Sequence, residues 1–152
     1  MTIKIISPPA MRPVSLDQIK QYLRITHDVE DEKLLELADA AVSYVESESH
    51  KALIYQTLLQ KDLKLNSKQQ LNLVISPVET SVKVEAVSLT GEQFTIPPSD
   101  YRLSGSPQGT IIQVIGWGRL DQACNSFNVE YVAVYGGAPD NVPANLRQAL
   151  LM

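Results

Sequence analysis

Residues 53–65 read "LIYQTLLQKDLKL", and the fold turns on the change of period inside them. Upstream, apolar residues recur every three or four positions; from about Leu53 onward they recur every two. Leu59, Leu63 and Leu65 alternate with Gln60, Asp62 and Lys64. That alternation predicts a half-buried strand with the leucines inward and the polar residues in solvent. A helical part therefore precedes this point and a β part follows it.

Upstream, "SPPAMRP" at 7–13 is held extended by Pro8, Pro9 and Pro13. A helix begins just behind it. Ser15 is a good N-cap, Gln18 sits at the capping-box position, and Val14 and Ile19 have the spacing of a hydrophobic staple. Leu16, Ile19 and Leu23 then fall on one face. Residues 26–52, "THDVEDEKLLELADAAVSYVESESHKA", predict a second helix. Asp28 can cap it, and Glu30, Asp31 and Glu32 suit its positive end. Leu34, Ala38, Ala41, Val42 and Val45 form its apolar stripe, widened by Leu35 and Leu37.

Downstream, "LNLVI" at 71–75 is a short strand closed by Ser76 and Pro77. Residues 81–98 read as a hairpin: Val82, Val84 and Ala86 alternate with Lys83 and Glu85, Thr90 and Gly91 supply the turn, and Pro97 and Pro98 stop the return strand. Residues 100–105, 109–116 and 127–137 give further strands, the last ended by Gly136 and Gly137. The layout is α+β: an N-terminal helical pair, an antiparallel β region with a hairpin, and a short C-terminal helix. One domain over 1–152 is expected, with a helical part at 1–52, a β-rich part at 53–137, and a linker and helix at 138–152.

For that last helix, Asp140 or Asn141 is the expected cap and Pro143 fits the first turn. Leu146, Ala149 and Leu150 would lie on one side, with Asn145, Arg147 and Gln148 around the other. A helix this short does not hold alone, because isolated helices below roughly 12–15 residues are marginal in water. It must close its own core or dock on a partner, and the pattern leaves both open.

Composition narrows the chemistry. Of 152 residues 44% are hydrophobic, enough for a core, and the net charge of -4 argues against a free-standing nucleic-acid binder. Cys124 is the only cysteine, so no intrachain disulfide is available. The opening residues lack the apolar core of a signal peptide, and no stretch approaches the roughly 20 apolar residues of a membrane span. A soluble protein made in a reducing cytoplasm is expected.

No catalytic constellation emerges. His50 lies four residues after Glu46 and near Glu48, short of the three or four ligands zinc needs. His27 is expected in solvent. Cys124 has no nucleophile signature around it, and no serine stands in a Gly-x-Ser-x-Gly elbow. The glycines around "GSPQG" and "GWG" lack the lysine and the strand–loop–helix setting of a phosphate loop. Trp117 between two glycines reads as a strand-end cap, with a ligand platform as the alternative. The expectation is a binding or structural protein with no cofactor and no metal. The competing reading is a small hydrolase or ligand-binding domain using Trp117, Tyr101 or His50.

Taken in order, the segments resemble a known family. "PPAMRPVSLDQIKQYLRI" and "EDEKLLELADAAVSYVESESHKALIYQT", followed by "SPVETSVKVEAVSLTGE", "SDYRLSGSPQGTI" and "VEYVAVYGGAPDNVPANLRQALLM", resemble the longer, β-inserted branch of the phage head–tail connector (head-completion adaptor) proteins. The likeness spans nearly the whole chain and rests on the order of apolar, Pro and Gly patterns. It implies a non-enzymatic virion protein assembled in host cytoplasm. Its copies would form a ring, twelve-fold by match to the portal, extending the DNA channel and presenting a platform to a tail-joining or stopper protein. DNA would pass without sequence-specific binding, helped by the chain's acidity. The portal-facing element implied is the last helix, through Asn145, Leu146, Arg147, Ala149 and Leu150. The family pattern carries that helix further than Met152. A tail-completion or stopper protein with the same plan is the neighbouring alternative.

Overall fold

The computed structural model describes residues 1–106, 109–115, 124–135 and 139–152, without the side chains at 80, 81, 106 and 125. Eight strands and three helices are present among these residues: β1 (Thr2–Ser7), α1 (Leu16–Leu23), α2 (Asp31–Ser49), β2 (Gln56–Leu63), β3 (Gln70–Leu73), β4 (Val78–Ser88), β5 (Gln93–Ile96), β6 (Tyr101–Ser106), β7 (Gly109–Val114), β8 (Cys124–Ala133) and α3 (Ala144–Leu151). This is the α+β fold that the period change predicts. Every strand pair is antiparallel. One sheet runs β1-β2-β8-β4-β5 and the other β3-β7-β6.

Helix α1 starts as its sequence dictates. The Ser15 hydroxyl accepts from the Gln18 N–H, and the Gln18 side chain accepts from the Ser15 N–H, so two orphan donors are satisfied reciprocally. Val14 and Ile19 are buried in one cluster. Leu23, read as part of the apolar face, is exposed instead, because the helix ends there on a left-handed Arg24. Helix α2 starts at Asp31 behind Glu30, without a side-chain cap. Asp28, the expected cap, is bonded to the Lys20 ammonium, which also meets Asp31. The carboxylate that would cap α2 thus ties it to α1. Leu34 and Ala38 are buried, but Leu37 faces solvent.

The largest core lies between the two sheets. Leu58, Val84, Ala86, Phe127, Val129 and Tyr131 from one pack with Leu71, Leu73, Ile112 and Val114 from the other. A helical core of Val14, Ile19, Leu34 and Ala38 is joined to the sheets through Leu53, Ile54 and Val142. The hairpin of β4 and β5 is as expected: Val84 and Ala86 point inward, and Gly91, at φ 90, makes a turn that glycine adopts without strain.

The phase of β2 is corrected. Its inward residues are Gln56, Leu58 and Gln60, with Leu59 on the outer side. Between Gln60 and Leu63 the strand advances three residues against two on β8, a bulge with Asp62 at φ 57. The Asp62 N–H is met by the Asn128 side chain. The extra residue flips the alternation, so Leu63 points inward as the sequence predicts while Gln60 is buried rather than solvated.

Gln60 is 0% exposed and fully employed. Its amide donates to the Asn72 carbonyl at 3.2 Å, and its oxygen accepts from the Val74 N–H and the Tyr131 hydroxyl, both at 3.2 Å. One side chain therefore connects β2 to β3 and to β8. Burial pushes the Tyr131 phenol up to about 12.

Residues 2–7 form β1, a strand inside the part read as helical. It pairs along β2, from Thr2 opposite Lys61 to Ser7 opposite Thr57. A six-residue strand at a chain end, with no turn before it, has no local signal of its partner.

Candidate functional site

No group of three or more His, Cys, Asp or Glu among the described residues can hold a metal ion. His27 and His50 are both exposed, His50 as the left-handed cap of α2. Burial pushes the half-buried Cys124 thiol up, away from the thiolate that makes a cysteine reactive. The Tyr101 hydroxyl donates to the Val82 carbonyl at 2.9 Å, so it ties β6 to β4 instead of facing a ligand. Trp117 lies outside the described residues, as do residues 136–138 between β8 and α3. No helix among the described residues is long and apolar enough to cross a membrane.

The surface features that can recognise a partner concentrate on the helical end. Helix α3 follows a short 3-10 turn at Pro139–Asn141, with Pro143 in the cap position and no side-chain cap bond. Asp140, one of the two expected caps, instead pairs with Arg147 at 3.1 Å. Leu146 and Leu150 pack against Leu53, Ile54 and Val142, the cluster that Val42 and Val45 also join, and Leu150 and Leu151 reach the α1–α2 core. The helix closes its own core with these residues.

Its faces differ from the expected split. At about 100° per residue, Leu146, Arg147, Leu150 and Leu151 share one arc; Arg147 is drawn half inside and Ala149 is left in solvent. Of the five residues named for partner contact, Asn145 and Ala149 are free on the outer face beside Gln148, while Leu146, Arg147 and Leu150 are half-buried. A groove of about 590 Å³ runs between α1 and α3, lined by Gln18, Gln21, Tyr22, Ala144, Gln148 and Leu151 among others. Its amides and aromatic ring suit a peptide surface, since they offer donors, acceptors and apolar area together. The α1 side of this groove was not foreseen; exposed Gln21 and Tyr22 carried the only signal.

A second groove, about 410 Å³, lies where α2 meets β1 and β2. Arg12 grips Asp39 through two bonds of 2.7 and 2.9 Å, and the guanidinium holds the Asp39 carboxyl below its usual range. Deeper in, Glu46 accepts from the Leu53 N–H at 2.9 Å and the Gln56 amide at 3.2 Å. Burial raises the Glu46 carboxyl above the usual range, and those two bonds oppose the rise. A raised pKa in the fold means that folding favours the neutral acid. That contribution is full below the unfolded-state value, about 4.3, and is lost as pH climbs through the folded value. Glu46→Gln keeps an oxygen for both donors and cannot ionise. It is expected to be more stable than the parent at about pH 7 and equal to it at about pH 4, by urea midpoints. A less stable variant at the higher pH would show that the charged bonds outweigh burial.

The sequence model of the phage gp6-like head-tail connector family matches residues 13–95, from just before α1 into β5. No curated protein sequence matches the chain. Among solved structures, a chain in the virion of a native gene transfer agent (GTA) particle superposes with a TM-score of 0.81 at 19% identity, covering 99% of this chain and 80% of that one. A chain from the neck of an empty GTA particle, computed with C6 symmetry, gives 0.78 at 21% identity with the same coverage. A chain from the neck of a native GTA particle, computed with C12 symmetry, gives 0.70 at 19% identity over 97% of this chain and 79% of that one.

Proposed function

We propose, because the chain belongs to the phage gp6-like head-tail connector family, that its copies form a ring in the neck of a phage-like particle and seat on the portal through the helical end. The family gives the structural connector role. The ring is supported by the folds this chain shares with neck proteins treated under six-fold and twelve-fold symmetry. The virion neck is then its place of action, and its chemistry is recognition with no bond made or broken. A net charge of -4 keeps phosphate contacts weak, so DNA passes along the axis without being held.

The observation that carries the seating on the portal is the two-sided terminal helix. Leu146, Leu150 and Leu151 anchor α3, while Asn145, Gln148 and Ala149 stand outward in solvent, Gln148 also lining the α1–α3 groove. Such an element docks without unfolding anything beneath it. A tail-joining protein would meet another face of the ring.

The test is co-purification with the portal protein. Three chains are compared: the full chain, one ending at Ala144, and one carrying Asn145→Glu and Ala149→Glu. The last leaves the leucine anchors intact. It is expected to keep its melting temperature and lose portal affinity by about tenfold, the scale of losing one good contact at an interface centre. Equal binding by all three removes α3 from the contact.

A further inference from the structure

The helical pair and the first strand expose apolar surface that the portal contact does not use. On α2, Leu37 is 56% and Tyr44 69% exposed. With exposed Ala40 they make a seam at spacing three and four along the solvent side of a 19-residue helix, the pattern of a face meant to be covered. On β1 all six residues are exposed; Ile5 is 54% and Ile6 47%. This strand is the end of its sheet and has no proline within it. An apolar unpaired edge invites association unless something covers it.

The two patches lie on opposite flanks. Ile5 lines the groove with Asp39, Ser43 and Glu46 of α2. At about 100° per residue, the centre of those three α2 residues lies roughly 125° around the helix from the centre of the arc of Leu37, Ala40 and Tyr44. Their charges are complementary as well. Residues 1–14 contain no acid; Lys4 is on β1 itself, while Arg12 is already held by Asp39 of its own chain. The α2 seam is flanked by exposed Glu48 and by Glu36, which Lys33 meets at 3.8 Å, so Glu48 is the acid left to face Lys4.

We propose that in the ring the Leu37–Ala40–Tyr44 seam of one copy covers the β1 edge of the next. A cyclic ring needs two different surfaces that fit each other and cannot mate with themselves, and this pair supplies both. The sheet's far edge, β5, is the poorer partner for β1. Strand twist of about 20–25° per step turns β5 nearly crosswise to β1, so edge-to-edge addition would not propagate around an axis of six or twelve steps. A helix laid over the edge carries no such constraint.

This inference rests on the ring proposed above, and its test separates the two. In a Cys124→Ser background, Tyr44→Cys and Ile6→Cys are introduced singly and together. Each chain is mixed with portal, oxidised, and run without reductant, while electron microscopy scores rings. A ladder of covalent oligomers from the double variant alone, with single variants uncrosslinked, is the expected result. Dimers from Tyr44→Cys alone would overturn it by showing a self-mating face. Rings without a ladder would overturn it and leave the connector reading standing. No rings from the unmodified chain would overturn both. Separately, Tyr44→Glu is expected to raise the concentration needed for assembly by about tenfold with the monomer's melting unchanged, and unaltered assembly would count against the seam.

Discussion

Gln60→Leu is expected to lower the stability of the protein by about 3 kcal/mol, read as a lower urea midpoint at unchanged slope. Leucine nearly matches glutamine in volume, so the loss is in polar satisfaction. The Val74 N–H and the Tyr131 hydroxyl both reach the Gln60 oxygen, and each loses that partner where water does not easily follow. A buried donor left alone costs about 1–3 kcal/mol. The opposing gain is one more apolar side chain in a core already containing Leu58, Leu71 and Leu73. Were the midpoint unchanged, that gain would equal the penalty, and Gln60 would serve to specify how the sheets pair rather than to hold them.

Leu53→Ala is expected to cost a similar amount, about 3 kcal/mol within the usual range for a buried leucine truncated to alanine. Leu53 is fully buried where α2, α3 and the sheets meet, in the cluster with Ile54 and Val142 against which Val45, Leu146 and Leu150 pack. Its N–H is also the one Glu46 holds. The cavity left by alanine borders α3, none of whose residues is fully buried, so the damage should be local before it is global. Amide exchange in residues 144–151 is expected to accelerate more than in β4 or β8. Portal binding should fall with it. Uniform acceleration across the chain would mean that α3 melts only with the whole fold.

Much of this architecture is legible without coordinates. The capping box of Ser15 and Gln18, the staple of Val14 and Ile19, and the alternation of Val82, Val84 and Ala86 are rules of neighbouring residues, and neighbours are what a sequence displays. The candidate site was legible only in part. Leu146 and Leu150 were seen as the apolar side of α3, but the inward turn of Arg147 and the exposure of Ala149 depend on where α1 and α2 stand.

Asp28 shows the same limit. Its position before a helix marks a cap, yet Lys20, eight residues away, holds it. Likewise β1 has no identity as a strand until β2 lies beside it.

What the sequence determined by itself is the kind and order of the elements from α1 onward, because period, caps and turns are set by local backbone geometry and the side chains next to it. What only the tertiary structure decided is the phase of β2, the burial of Gln60, the anchoring of α3 and the exposure of Leu37, Tyr44, Ile5 and Ile6. Those depend on residues brought together from opposite ends of the chain. A single bulge at Asp62 is enough to reverse which side of a strand meets the core, since the alternation has a period of two and one inserted residue inverts it.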